Sequence, residues 1–178
     1  MWRKHKRPTE ESERVISDPA KARERTMNRA VRLLAAKPRS VGELRERLME
    51  KSWTNREVVD AVIEKLSEYN YLNDQKYASD LAVSKLRQRP QGKRRLKQTL
   101  SQKKLDKETV DEAINSAFEK IPETELIDRA IEKQIRLKGI PETREEVKKF
   151  YDHLLRRGFG YDLIIARMRD LGSFKTEE

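Results

Sequence analysis

The chain has 178 residues, of which 35% are hydrophobic and 40% are charged, and its formal net charge is +10 at pH 7. The low hydrophobic fraction excludes one large core and favours several small cores, one in each of several repeats. The sequence has no cysteine, which excludes disulfides and thiolate metal sites, and no run of about 18 apolar residues that could span a membrane. We expect a soluble, cytoplasmic protein whose positive charge attracts polyanions.

The first predicted helix follows a basic N-terminal segment. Residues 1–17 are expected to form a flexible basic arm. Asp18 is a predicted N-cap with Pro19 at the first helical position, and Pro38 ends the helix.

Two capping boxes, beginning at Ser40 and Thr54, predict the next two helices. If Thr54 is the N-cap, Trp53 and Val58 flank it at the positions of a hydrophobic staple. This staple would fix the angle between the second and third helices.

The junctions of the later helices are marked by caps and helix breakers. Asn73 is a predicted N-cap, Pro90–Gly92 is a break, and Ile121–Thr124 is a second junction. A turn is expected at Gly139–Pro141, and Thr143 begins another capping box.

An apolar signature of fixed spacing occurs three times, roughly fifty residues apart. Its copies are Leu44, Leu48 and Trp53; Leu96, Leu100 and Leu105; and Phe150, Leu154 and Phe159. Such a period predicts an all-α fold of three tandem three-helix repeats, each resembling a helix-turn-helix unit. The predicted repeats are residues 18–72, 73–121 and 122–172, and residues 173–178 are expected to fray.

No catalytic constellation is evident. The two histidines are His5, in the arm, and His153, which is predicted to be structural or solvent-facing. Gly92-Lys93 lacks the other residues of a phosphate-binding loop. We expect no enzyme activity, catalytic residue, cofactor or metal.

The segment from Lys85 to Lys104, here called the basic cluster, contains no Asp or Glu. Its cations are Lys85, Arg87, Arg89, Lys93, Arg94, Arg95, Lys97, Lys103 and Lys104, and Arg156 and Arg157 form a second, smaller group. Cations concentrated in this way suit a phosphodiester backbone or an acidic protein groove, although an ordinary solvated basic helix is also possible. Aromatic residues do not alternate with them, so base stacking is not predicted.

Four motifs together carry a family resemblance. They are Arg45–Leu48 after Ser-x-x-Glu-Leu, the Tyr71–Asp74 junction, Gly92-x-x-Arg95-Leu96-x-x-x-Leu100, and His153–Phe159. With them, about residues 30–171 resemble the RecX regulatory proteins of bacteria. The resemblance implies an elongated, curved array of the three repeats. It also implies binding to RecA recombinase filaments on single-stranded DNA, usually with inhibition, and a place in homologous recombination, DNA repair and the SOS response.

The chain departs from the family pattern at three turn positions where glycine is common: Asn70, Ser52 and Lys104. Asn70 tolerates a left-handed backbone well. Ser52 and Lys104 would cost about 1 kcal/mol each if they adopted that conformation.

The main hypothesis is a monomeric regulator that inserts into the groove of a RecA filament, where its cations approach the phosphates of single-stranded or also double-stranded DNA. The alternative is a general, sequence-independent DNA-binding protein. A nuclease would need a metal-binding set of carboxylates, which the sequence does not suggest.

Overall fold

The computed structural model describes residues 14–171, which form nine α-helices and no β-strand. The predicted arm up to residue 13 and the predicted frayed end, residues 173–178, lie outside this range. The helices are α1 (Pro19–Ala36), α2 (Val41–Met49), α3 (Arg56–Glu68), α4 (Asp74–Gln88), α5 (Lys93–Ser101), α6 (Lys107–Lys120), α7 (Glu123–Lys138), α8 (Arg144–Arg156) and α9 (Tyr161–Asp170). The all-α prediction is confirmed.

The helices form two compact units, one ending at Tyr77 and the other beginning at Ala78. In the first unit, α1 packs against both α2 and α3. The core of this unit is formed by Ala30, Leu44, Leu48, Val59, Val62, Ile63, Leu66 and Leu72.

Two predicted caps of the first unit are confirmed. The Asp18 side chain accepts a hydrogen bond from the Lys21 amide, with Pro19 at the start of α1. The Ser40 side chain accepts a hydrogen bond from the Glu43 amide at the start of α2.

The predicted cap of α3 is wrong by one residue. Asn55, and not Thr54, is the N-cap, and its side chain accepts a hydrogen bond from the Val58 amide. The Thr54 hydroxyl is buried and hydrogen-bonds to the Thr26 hydroxyl of α1 at 3.1 Å. Because this contact keeps Thr54 in the interior, the adjacent Asn55 supplies the cap.

The predicted staple between Trp53 and Val58 is therefore also wrong. Val59, one residue later, now occupies the fourth helical position of α3. Trp53 is 38% exposed, and the Lys51 ammonium lies 5.7 Å from the centre of its ring.

The last residues of the predicted arm are held against the first unit. The Arg14 guanidinium donates hydrogen bonds to the carbonyl oxygens of Met49 and Lys51, and the Asn55 side chain donates one to the Arg14 carbonyl. The basic side chain thus satisfies carbonyl groups at the end of α2.

The turn after α3 has the left-handed residue expected at Asn70, with φ of 58°. The Tyr71 amide donates to the Leu66 carbonyl and the Asn70 amide to the Ser67 carbonyl, which is the Schellman arrangement. Asn73 then caps α4 through the Lys76 amide, as predicted.

Ser52 and Lys104, the other two positions where the family commonly has glycine, differ in backbone conformation. Lys104 has the left-handed φ of 55° that was expected to cost energy, whereas Ser52 does not adopt this conformation. The cost predicted for a left-handed Ser52 therefore does not arise, because the chain leaves α2 by a turn that needs no positive φ there.

The second unit contains the rest of α4 and helices α5–α9, and these share one core. The prediction of one core per repeat is wrong here, because buried side chains of α5 and α6, such as Leu96 and Phe118, belong to the same cluster as Phe150 of α8 and Met168 of α9.

The predicted capping box of the second unit is confirmed. Asp106 caps α6 through the Thr109 amide, Thr143 and Glu146 form a complete capping box at α8, and Gly160 precedes α9 without a side-chain cap.

Candidate nucleic-acid interface

Two glycines bring the start of α5 against the end of α8. The Gly92 amide donates a hydrogen bond of 3.0 Å to the Arg157 carbonyl. A Cβ atom on Gly92 would lie 2.3 Å from the Gly158 oxygen, and one on Gly158 would lie 2.4 Å from the Arg95 nitrogen. Only hydrogen at both positions permits this approach.

A cleft of about 560 Å³ lies beside this contact, inside the second unit. It receives side chains from α4, α5, α8 and the turn before α5. These are Lys85, Gln88, Arg89, Gln91, Arg95, Thr99, His153, Arg156 and Arg157, here called the basic cleft.

Among residues 14–171, the basic cleft gathers five cations and no acidic residue. The Arg157 guanidinium donates a hydrogen bond to the Pro90 carbonyl, a neutral acceptor, at 3.3 Å. Burial lowers the pKa of Arg157, and the nearby Arg89 lowers it further. Like charges therefore face each other across the cleft, and an anion would relieve their repulsion.

His153 is a half-buried member of this lining. Burial lowers the pKa of its imidazole below the usual 6.5, and neighbouring cations lower it further. Those cations are Arg157, Arg156, Lys138 and Arg89. The neutral imidazole is favoured as long as no anion is nearby.

The structure brings together five of the eleven cations predicted as site residues. Lys85 lies on α4 and Arg89 directly after it, Arg95 lies on α5, Arg156 is the last residue of α8 and Arg157 is its C-cap. The two groups that were separate in the sequence thus meet in one cleft. The Gly92–Arg157 hydrogen bond positions them.

The other six predicted cations do not line the cleft. Lys97 forms an ion pair with Asp111, and the Lys93 ammonium lies 5.5 Å from the centre of the Phe118 ring. Arg87 and Arg94 are exposed on α4 and α5, and Lys103 and Lys104 follow the C-terminal end of α5.

Sequence reasoning missed the polar members of the lining: Gln88, Gln91, Thr99 and His153. A weak signal existed for two of them, since Gln88 lies four residues before Gly92 within the basic cluster and His153 lies next to the Arg156-Arg157 pair. Nothing in the sequence indicated that these two segments are neighbours in space.

Within residues 14–171, no group of three or more His, Asp or Glu side chains is placed to hold a metal ion. No helix in the same range is both long and apolar enough to cross a membrane.

Comparison with known families decides the relationship. Models of the RecX first, second and third three-helix domains match residues 27–66, 73–114 and 122–166, in that order. The chain belongs to the RecX family. This membership confirms the resemblance and the three tandem three-helix domains.

Similar RecX proteins are found in several bacteria under the name regulatory protein RecX. That of Chlorobaculum tepidum is 31% identical over 139 residues, which are 78% of this chain and 82% of the relative. That of Prosthecochloris aestuarii is 30% identical over 155 residues, 87% of this chain and 96% of the relative. That of Bacillus subtilis is 32% identical over 142 residues, 79% of this chain but only 53% of the relative.

Solved RecX structures share the fold. The crystal structure of RecX from Lactobacillus salivarius superposes with a TM-score of 0.75 at 22% sequence identity, covering 87% of this chain and 99% of that one. A second crystal structure of a regulatory protein RecX gives a TM-score of 0.71 at 20% identity, covering 85% and 73%. A RecX regulatory role follows from the family.

Proposed function

We propose that this RecX protein inhibits RecA recombinase by binding, as a monomer in the cytoplasm, in the groove of the RecA filament on single-stranded DNA. Bound there, it blocks filament extension, ATP turnover and strand exchange. Family membership supports the regulatory role, and the sequence resemblance supplies the partner. The single observation that carries the mode of binding is the basic cleft, which the described residues line with five cations and no acidic side chain.

The cleft suits a filament because a RecA filament presents DNA phosphates at the bottom of a protein groove. Cations on one face of the protein approach these phosphates by charge attraction, without reading the base sequence. The other three-helix domain, in the first unit, provides further surface that can contact recombinase subunits. Contacts to several subunits at once would hinder addition of the next subunit.

The test is RecA ATPase activity on single-stranded DNA, with RecA from the same cell. Adding this protein at a ratio of about one per filament binding site should lower the rate. A variant with Arg89→Gln and Arg156→Gln should inhibit less, because it removes two cations of the cleft. Arg144→Gln with Lys148→Gln removes the same charge from exposed positions of α8 outside the cleft and is the matched control.

An unchanged ATPase rate at saturating protein would contradict the proposal. The alternative, a general DNA-binding protein, is favoured by the fact that the cleft is built within one unit. Affinities for naked and RecA-coated strands separate the two. Tighter binding to naked DNA, with no effect of substitutions in the first unit, would support the general DNA-binding protein.

A further inference from the structure

The basic cleft has the size and chemistry of a binding site for an anion. Its volume of about 560 Å³ falls within the range of small-molecule sites. Four of its five cations are arginines, whose planar donors match the oxygens of a phosphate group. Three separate helices hold these donors.

The lining favours a phosphodiester over an acidic peptide. The nine lining side chains in the described part of the chain are all basic or polar, whereas a peptide site normally offers a pocket for an apolar or aromatic anchor. Among residues 14–171, the lining also offers no Phe, Tyr or Trp ring on which a base could stack. The ligand that fits is therefore the sugar–phosphate backbone of a nucleic acid.

His153 lies where a bound phosphate would alter its charge. Cations lie near it on several segments: Lys85 on α4 and Arg89 just after it, Arg95 on α5, Lys138 at the end of α7, Arg156 at the end of α8 and Arg157 just after it. The acidic residue nearest to it in sequence, Asp152, is not part of the cleft lining. A phosphate would bring negative charge into this positive surrounding, which favours the imidazolium form.

We propose that the basic cleft binds a nucleic-acid phosphodiester group and that His153 takes up a proton when the phosphate binds. The choice of single-stranded DNA as the nucleic acid rests on the proposed function, which this site would extend. The proton is taken from solvent, and the imidazolium gains a second N–H that can donate to a phosphate oxygen. Binding and protonation therefore promote each other.

The direction of the pH effect follows from linkage. The pKa of His153 is low in the empty cleft and higher in the occupied one, so affinity increases as the pH falls through the occupied-state pKa. It levels off below the empty-state pKa, where both states are protonated. Each unit by which binding raises the pKa gives about a tenfold increase in affinity.

The experiment uses the full chain alone and a short oligothymidylate, because neither its phosphodiesters nor its bases titrate between about pH 5 and pH 8. The binding constant is measured by fluorescence anisotropy across this range. The wild type should bind about three- to tenfold more tightly at the acidic end than at the alkaline end. His153→Gln should remove this difference, while circular dichroism verifies its fold.

A second measurement does not depend on a variant of His153. In a His5→Gln protein, His153 is the one imidazole in the chain, and its NMR titration gives the pKa with and without the oligonucleotide. The pKa should be higher in the complex. An unchanged pKa would overturn the proposal, even if the variant His153→Gln failed to fold.

Salt dependence tests the position of the phosphate. Arg156→Gln should reduce the slope of log affinity against log salt by about 0.7, the value for one contact to a single strand. Arg144→Gln, at the other end of α8, should leave the slope unchanged. Equal losses in both variants, or equally tight binding of poly-glutamate, would refute the assignment of the cleft to a phosphodiester.

These outcomes are separate from those of the ATPase test, because no recombinase is present. A proton-linked site can exist in a protein that does not affect RecA. An inhibitor of RecA can likewise act without this site.

Discussion

The amide of Gly92 donates a 3.0 Å hydrogen bond to the carbonyl of Arg157, joining the cap of α5 to the end of α8. Each residue belongs to a separate sequence motif. Their contact brings Arg95 and Arg157 into the lining of the same basic cleft. This pair of backbones thus joins cations from two distant segments of the chain.

Gly92 and Gly160 form a matched pair for testing this contact. Both are N-caps with extended backbone and no side-chain cap, but an added Cβ atom would meet backbone at 2.3 Å on Gly92, whereas on Gly160 it would meet no atom of residues 14–171 within 4 Å. Gly92→Ser should lower the free energy of unfolding by about 1–3 kcal/mol through overpacking, whereas Gly160→Ser should change it by only a few tenths of a kcal/mol. Urea denaturation measures both, and equal effects would refute the tight contact.

Lys104 offers a stabilising substitution. Its left-handed backbone, with φ of 55°, is unfavourable for a residue with a side chain. Lys104→Gly should raise the free energy of unfolding by about 0.5–1 kcal/mol because it relieves this conformation. The larger conformational entropy of glycine in the unfolded chain reduces that gain. Ser52→Gly should not stabilise, because Ser52 does not have a positive φ. Thermal unfolding of the two variants checks the difference.

Asn55 is expected to stabilise α3 as its cap. Asn55→Ala should cost about 1 kcal/mol of the free energy of unfolding. Asn55→Asp keeps the acceptor for the Val58 amide and should retain most of the stability, although it loses the donor to the Arg14 carbonyl. If Asn55→Ala were neutral in urea denaturation, the cap would have to be Thr54 after all.

Tyr77 should ionise at a higher pH than a solvent-exposed tyrosine. Burial, together with the carboxylate of Glu43 that accepts its hydrogen bond, raises the pKa of its phenol from 10.0 to about 12. Since the unfolded chain ionises first, the stability contributed by Tyr77 is complete below pH 10.0 and is lost as the pH rises towards about 12.

The ultraviolet absorbance of the folded protein, minus that of Tyr77→Phe, should give this titration step. Tyr77→Phe should also lose less stability than the wild type between these pH values. A step near pH 10.0 would show that the phenol is solvated.

Local sequence rules predicted most of the helices. Caps such as Asp18 and the box at Thr143 act within a few residues of the chain, so their chemistry can be read directly. Leu96 and Leu100, two members of the repeated apolar signature, are both buried in the core, as apolar residues at helical spacing are expected to be.

Long-range contacts explain what the sequence could not predict. Thr54 and Asn55 are both good caps, and the choice between them depends on the distant Thr26 hydroxyl. The basic cleft requires α4, α5 and α8 to meet, which no local pattern specifies. The sequence therefore predicted the basic cluster, but it did not predict which of the cations line the cleft and which do not.

The shared interior of helices α4–α9 also limits how the chain can change in length. Deletion of the third three-helix domain alone would expose the apolar side of the second domain, where Leu96 and Phe118 are buried with Phe150 and Met168. The second and third three-helix domains therefore depend on each other, and the chain can lose them only as a pair.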